Sequence, residues 1–543
     1  MNYARSKLRG IKTNRESLAQ LSPPHVSSGG PVLTSPGFPL KACGNDGLRK
    51  GNKFYAASCG ELTRRDSIRG EMAYRDLKEY LSVLENRGKL RRVKKEVDKD
   101  WEIAAVCRQL FYRFPPARRP ALMFERIKGH DIPLVAGILG ASREIYAIAL
   151  ETDSVDGINR KWDQAIEKPI PPRIVKDGAC KENILLGDKV DITKLPTPTW
   201  TVGQDPGPFF TSPFIVTKDP DSGTRNVGIY RMQLKGSNKT GLFIAQPQDA
   251  SLHLRKNEEK NRPMPVAVII GADPSIGIVA ASKIAERLDE FAVAGALRGE
   301  PVDLVPCETV PLEVPANAEI VLEGEVLPGI REMEGPFGEY TGYMGPAGME
   351  PVLNIKCMTF RNNPIYQAFI SQLPPSESSC IRGIGREWPL LKHLRHTLGL
   401  PVRDVRLKEA GGAAAYVVVS MKKQFEGQVK QVIHGVWSLR TGYGKLTVVV
   451  DDDIDIQDDF ALDWALSWRV RPDKDISIIQ NVQAVALDPS LTPADVPQHD
   501  PVRLVGSRVA IDATKKHAYP AVALPPKEHL DLVAERWREY EIE

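Results

Sequence analysis

Apolar residues recur at helical spacing in Leu77, Leu81 and Leu84, and Gly88 follows, a pattern that predicts an amphipathic helix with a glycine stop. Residues 89–97 read as a charged strand, and Asp100 is placed to cap a second helix carrying Ile103, Val106 and Leu110. Proline-rich stretches at Pro115-Pro116, Pro169-Ile-Pro-Pro172 and Leu195-Pro-Thr-Pro198 punctuate the chain that follows. Between about Thr211 and Phe369 the period changes. Short β-branched runs such as 266–270 and 319–322, bounded by Gly and Pro, predict the strands of a closed or split β-barrel. From about Gln372 a mixed pattern returns, with a helix over 387–398 carrying Leu390, Leu391, Leu394 and Leu398, and buried-type strands at 416–419 and 446–450. Asp451-Asp-Asp453 reads as strand-end solvation and capping ahead of a helix starting near Asp459. Gly411-Gly412 reads as a turn, since no Lys-Ser/Thr and no helix start follows it. A last amphipathic helix, with Leu530, Val533, Trp537 and Tyr540, packs either on its own domain or on a neighbouring subunit.

The fold class expected is therefore mixed α/β (α+β), in several parts. At 543 residues the chain exceeds one ordinary domain. Its pattern divides into an N-terminal extension, 1–71, an α/β segment, 72–205, a β-rich core, 206–371, and a C-terminal α/β domain, 372–543. Residues 1–71 are rich in Ser, Gly, Pro and base, with Arg5, Lys7, Arg9, Lys12 and Arg15 against Glu16, and show no sustained apolar period. That composition predicts disorder. It reads equally as a mis-called start or as an organellar transit segment, although the early stretch lacks a clear amphipathic face. A genuine transit segment would make the protein mitochondrial.

Charge and cysteine usage narrow the function classes. Lys and Arg number 73 against 69 Asp and Glu, a formal charge of +4 spread along the chain, which points to neither nucleic acid nor an anionic membrane as partner. No apolar run of about eighteen residues occurs, so no membrane span is expected. The seven cysteines include no Cys-x-x-Cys pair and read as reduced thiols of a cytoplasmic protein. Cys380, beside Pro374-Pro-Ser-Glu-Ser-Ser379, is the one thiol whose loop suggests a nucleophile as the alternative.

Two short segments carry the chemistry. Asn226-Val-Gly-Ile-Tyr-Arg231 and Glu334-Gly-Pro-Phe-Gly-Glu339 supply one guanidinium and two carboxylates. Gly335-Pro336 and Gly338 disfavour a continuous helix, so Glu334 and Glu339 are expected on a fixed turn, pointing into one space. An Arg between two such groups could hold one ionised and leave the other to exchange a proton, the kit for chemistry on a carboxylic acid. The plainer alternative is a surface turn and a strand-edge salt bridge. On a strand, alternation would put Asn226 and Arg231 on opposite faces, so a bulge is expected at Gly228.

These segments, together with Ala294-Gly-Ala-Leu-Arg-Gly-Glu300, Val314-Pro-Ala-Asn-Ala-Glu-Ile320 and Val450-Asp-Asp-Asp-Ile-Asp455, resemble the UbiD family of decarboxylases from about Tyr74 onward. The resemblance implies a flavin-binding split barrel, prenylated FMN as the electron sink, Mn2+ and K+ at its phosphate, a flavin prenyltransferase as cofactor supplier, and a homodimer or higher homo-oligomer. It implies Glu339 as proton donor, Glu334 as the partner that orients Arg231, and Arg231 as the contact to the substrate carboxylate. The metal ligands of the resembling family map to Asn226, to Glu290 and to a histidine. A count without insertion lands on Asp249, whereas Leu252-His-Leu-Arg255 matches the local context, so His253 and Asp249 both stand as the second ligand. Thr211, Ile229, Tyr230, Ala281, Ser282 and Lys445 match cofactor contacts, with Arg440 a weaker substitute for Lys445 and an ordinary solvated lysine as its alternative. Tyr230, Phe337 and the 372–380 loop would shape the substrate pocket.

The function expected is non-oxidative decarboxylation, open to reversal at high carbon dioxide, of an aromatic, heteroaromatic or α,β-unsaturated carboxylic acid. An ordinary FMN oxidoreductase is one alternative; it would not need the Glu-Arg-Glu set. A non-catalytic subunit of a multi-subunit carboxylase is the other, hinted at only by the altered loop around Asp249.

Overall fold

A computed structural model describes residues 73–244, 248–284, 288–439, 443–485, 487–491 and 504–542. The expectations for 1–71, for Gln246 and Pro247, for Arg440, and for Cys43 and Cys59 lie outside these residues. The first predicted helix is present as Leu77–Asn86, with Asp76 capping its start and Gly88 at φ 67° past its end. The second runs Glu102–Arg113, one residue later than the Asp100 cap implied, with Trp101 at the N-cap.

The core is a seven-stranded antiparallel sheet. Its order is Lys239–Gly241, Gly348–Phe360, Ile320–Glu334, Met264–Ile270, Phe214–Lys218 and Arg225–Ile229, and Asn183–Leu186 adds to the far side of Gly348–Phe360. The β-branched run 266–270 forms a strand buried almost throughout, as its uninterrupted apolar character requires. This sheet is an open path. Its two end strands do not pair among the described residues, so the closed form of the predicted barrel is not what the structure contains. A smaller sheet joins Leu90–Val93, Ala121–Phe124 and Leu134–Ala136 to Tyr366–Gln367, a strand from beyond the core sheet. One hydrophobic core consequently runs from Tyr74 to Ile384 without a break at residue 205.

The C-terminal part is a five-stranded mixed sheet ordered Val402–Leu407, Tyr416–Met421, Leu446–Asp451, Val505–Ala513 and Ile476–Gln483, with an apolar cluster on each face. Asp453 takes both guanidinium arms of Arg469, so the aspartate run is tied down by ion pairs rather than merely solvated. The terminal helix, Lys527–Glu535, buries none of its residues against this chain, and Leu530, Val533, Trp537 and Tyr540 stay exposed. No helix among the described residues is long and apolar enough to cross a membrane.

The helix expected at 387–398 starts ten residues earlier and spans Glu377–Lys392, followed by a wider turn over His393–Thr397. Ser376 and Ser379 cap each other reciprocally, which turns the Pro-Ser-rich loop into a helix start. Glu377, fully buried, accepts the backbone N–H groups of Gly137 (2.7 Å) and Leu139 (2.8 Å) and so fastens this helix to the N-terminal part. Burial pushes its carboxyl up to about 7, against the pull of those N–H groups. Removing a buried acceptor leaves its donors unpaired at about 1–3 kcal/mol each. Glu377→Ala is therefore expected to cost about 3 kcal/mol or more, read as a lower midpoint in denaturant; an unchanged midpoint would show that the latch carries no stability.

Candidate active site

The Ile320–Glu334 strand stops at Glu334 because Gly335 takes φ 80°, a left-handed conformation that favours glycine. The chain turns, pairs Phe337–Gly338 with Met344–Gly345, and returns Glu339 toward the same space, its N–H donating to the Tyr343 carbonyl (2.8 Å). Arg231 approaches from the other side. Its Nε and Nη2 donate to the two oxygens of Glu334 (3.1 and 2.9 Å), a bidentate pair, while Nη1 donates to Glu339 Oε1. The guanidinium lies 4.0 Å over the Phe243 ring and 5.2 Å from that of Phe337. Glu334 has no exposed surface. Burial raises the Glu339 carboxyl above its ordinary range, against the pull of Arg231. One carboxylate is thus locked and the other poised to hold a proton.

The expected bulge at Gly228 is absent. Phe214–Lys218 and Arg225–Ile229 pair without a register shift, and the strand ends at Ile229. Tyr230 and Arg231 lie past that end, which frees Arg231 from the alternation that a continuous strand would impose. Gly228 serves a different need: a Cβ there would sit 2.7 Å from the Tyr230 ring. Tyr230 is buried, its hydroxyl 3.3 Å from Asn226 Nδ2.

Asn226 faces Thr217 across the two strands, and Thr217 Oγ1 lies 2.8 Å from His253 Nδ1, so the imidazole is oriented with Nε2 as its other nitrogen. Burial lowers the proton affinity of His253, favouring the neutral ring that a metal requires. Glu290 opens the Glu290–Arg298 helix beside Val227. Its Oε2 is buried without a hydrogen-bond partner, and burial pushes the carboxyl up to about 8. A buried carboxyl oxygen without a hydrogen-bond partner is suited to a cation. Asp249 starts the His253 helix, and its charge reaches Tyr230 and Glu290. No group of three or more His, Cys, Asp or Glu suited to a metal gathers among the described residues; the Asn226, His253 and Glu290 set contains two residues of those types.

The other predicted contacts occupy several elements. Thr211 is buried and accepts the Phe369 N–H (3.2 Å), and Ile229 closes its strand opposite Phe214. Ala281 ends the Pro274–Ala280 helix, and Ser282 Oγ, which donates to the Ile278 carbonyl, lies beside Gly385 of the Glu377 helix. Lys445 is half-exposed and paired with Asp488 (2.8 Å) and Ser490 (2.6 Å). Cys380 is buried, and its thiol is pushed up to about 12, so it stays protonated and unsuited to nucleophilic attack.

Two carboxyls near Arg231 escaped the sequence reading. Burial pushes Asp205 up to about 6, with Arg231 pulling it down, and Asp205 Oδ2 accepts the N–H groups of Trp200 (3.0 Å) and Thr201 (2.6 Å). Burial, reinforced by Glu334, pushes Glu350 up to about 7. Neither lies in a motif, and only tertiary packing brings them here.

The chain matches the N-terminal domain of 3-octaprenyl-4-hydroxybenzoate carboxy-lyase over residues 81–162, its Rift-related domain over 173–374 and its C-terminal domain over 379–513. Among solved structures it is similar to the UbiD-class enzyme HmfF from Pelotomaculum thermopropionicum in complex with FMN, at 36% identity and a TM-score of 0.75, over 84% of this chain and 99% of that one. An evolved dimeric form of HmfF in complex with prFMN matches at 36% identity and a TM-score of 0.72, over 84% and 98%. Vanillic acid decarboxylase from Sedimentibacter hydroxybenzoicus, in open form, matches at 31% and 0.74, over 87% and 100%.

Breaking a buried ion pair from one side leaves an uncompensated charge and costs about 3–5 kcal/mol. Arg231→Met is expected to lose that much in denaturant unfolding, and adding Glu334→Gln should recover part of it. No recovery in the double variant would mean that the loss came from packing on Phe243 and not from charge.

Proposed function

The chain belongs to the UbiD family of carboxy-lyases, and on that premise we propose that it releases carbon dioxide from an aromatic, heteroaromatic or α,β-unsaturated carboxylic acid with prenylated FMN as cofactor. The observation that carries this reading is the convergence of Arg231, Glu334 and Glu339 in one enclosed ion-pair cluster. Prenylated FMN, when bound, supplies the electron sink for carbon–carbon bond cleavage.

The chain's own residues supply position and a proton. Glu334 holds the guanidinium plane of Arg231 on two bonds, leaving Nη1 as the arm that a substrate carboxylate can take from Glu339. Displaced from Arg231 and raised by burial, Glu339 keeps its proton at a higher pH than an exposed glutamate would. When the bond to the carboxylate carbon breaks, the electron pair stays with the substrate, and the Glu339 O–H delivers the proton that replaces carbon dioxide. The phenyl rings around Arg231 exclude water from this exchange.

Asn226, His253 and Glu290 would hold Mn2+, with K+ nearby, and the cations would offset the charge of the flavin phosphate. The orphaned Oε2 of Glu290 supports that assignment. His253 is favoured over Asp249 because a neutral imidazole adds no negative charge beside a phosphate. Thr211, Ile229, Tyr230, Ala281 and Ser282 would line the flavin, which a flavin prenyltransferase would supply in prenylated form.

Glu339→Gln keeps the shape of the side chain and removes its acid. Loaded with prenylated FMN, this variant is expected to retain its flavin absorbance and to lose decarboxylation of its acid by roughly 10²–10⁴-fold; a native rate would refute the acid role. Mn2+ added to flavin-free protein is expected to raise its melting temperature, since a ligand bound by the folded state alone stabilises it. Glu290→Ala should abolish that rise and lower the FMN retained on purification. An unchanged Mn2+ response would place the metal elsewhere.

A further inference from the structure

The three residues assigned to the cation sit on three different elements, and the chain neighbours of two of them carry opposite charges that meet. Arg225 opens the Arg225–Ile229 strand and directly precedes Asn226. Asp289 directly precedes Glu290, the first residue of the Glu290–Arg298 helix. Arg225 Nη1 lies 3.1 Å from Asp289 Oδ2. The other oxygen of Asp289 accepts the Phe291 N–H (2.9 Å) and caps the helix. One carboxylate therefore fixes both where the helix begins and which strand end it sits against. The guanidinium also lies 5.6 Å over the Phe291 ring. Its Nε is 3.5 Å from Glu313 Oε2, and Lys218, the cross-strand partner of Arg225, approaches the same oxygen at 2.8 Å.

These charges are largely enclosed, the Arg225 side chain being 14% exposed and that of Asp289 28%. Arg225 Nε and Nη1 are buried and make no hydrogen bond, so the contacts hold through charge rather than through the two parallel bonds that lock Arg231 to Glu334. A partly buried ion pair of this kind is a poor source of stability, because lost hydration offsets the attraction. It does fix the distance between the two backbones that carry it, and these are the backbones of Asn226 and Glu290. His253 is fastened to the same hairpin by other groups. Thr217, opposite Asn226 in register, meets its ring, and Lys256 on its helix pairs with Asp219 (2.6 Å). The hairpin thus receives a helix at each strand, and the Glu290 helix meets it through the Arg225–Asp289 contact.

We propose that Arg225 and Asp289 are positioning residues that hold Asn226 and Glu290 at the spacing a divalent cation needs, and so set the affinity for Mn2+ without contacting it. The inference rests on the assignment of the cation to Asn226, His253 and Glu290, but metal affinity can be measured apart from turnover. Ligands already held at their working distance lose less freedom when the ion binds. Removing side chains that orient metal ligands costs roughly 10–100-fold in metal affinity.

The test is titration of Mn2+ into the full-length chain with FMN supplied, the free ion being followed by its electron paramagnetic resonance signal. Asp289→Asn keeps a residue able to cap the helix and removes the charge. Arg225→Met removes the other partner, and Arg225→Lys keeps its charge. Asp289→Asn and Arg225→Met are each expected to weaken Mn2+ binding by about tenfold, and Arg225→Lys by less. The double variant should fall no more than about twofold below either single one, because the two residues act as a unit. Melting temperatures taken without Mn2+ separate folding from binding. A lower melting temperature with unchanged Mn2+ affinity would overturn the proposal, since the pair would then serve folding alone, and so would fully additive losses in the double variant. Mn2+ binding that depends on Glu290 and ignores Arg225 and Asp289 overturns the positioning role and leaves the cation assignment standing. No Mn2+ binding by the wild type, or binding that survives Glu290→Ala, overturns the assignment and the positioning role together.

Discussion

Glu334 has no exposed surface, and one guanidinium meets both of its oxygens. The Arg231–Glu334 pair is what the rest of the site depends on. Burial costs each charge its hydration, and only the two-bond geometry with an aromatic ring against the guanidinium face returns enough to offset it. Gly335 ends the strand at that pair, and the turn that follows brings Glu339 back to the same guanidinium. The tight pair fixes a frame, and the looser member is the group whose charge can change.

Much of this was legible in the residues. The glycine and proline after Glu334 forbid a helix, and the turn they imply is the turn observed. The apolar run 266–270 could only be an interior strand. Where reading failed, distant contacts decided. The bulge at Gly228 was inferred from alternation along a strand presumed to reach Arg231, but the strand stops at Ile229, and no local signal marks that end. The start of the Glu377 helix was hidden because a Pro-Ser loop looks like a loop until Ser376 and Ser379 bond each other and Glu377 finds two N–H groups some 240 residues away. Asp205 and Glu350 acquire their character from burial alone, which no short window of sequence contains. Whether the end strands of the core sheet pair is likewise a matter of long-range register.

Electrostatics divides the site into two neighbourhoods. Around Glu290 a buried carboxyl has no cation among the described residues, whereas around Arg231 carboxyls crowd one guanidinium. The first is short of positive charge, and the second is held together by it. Tyr230 stands between them, its hydroxyl on Asn226 and its backbone leading into Arg231.

That adjacency makes Asn226 to Arg231 a single six-residue stretch serving two neighbourhoods, with four strand positions held in unbroken register against Phe214–Lys218. A deletion or insertion of one residue here would turn every following side chain to the other face and displace Asn226 or Arg231 relative to its partners. The spacing of the stretch is therefore as constrained as its side chains, and a single change of length would disturb both neighbourhoods in one event.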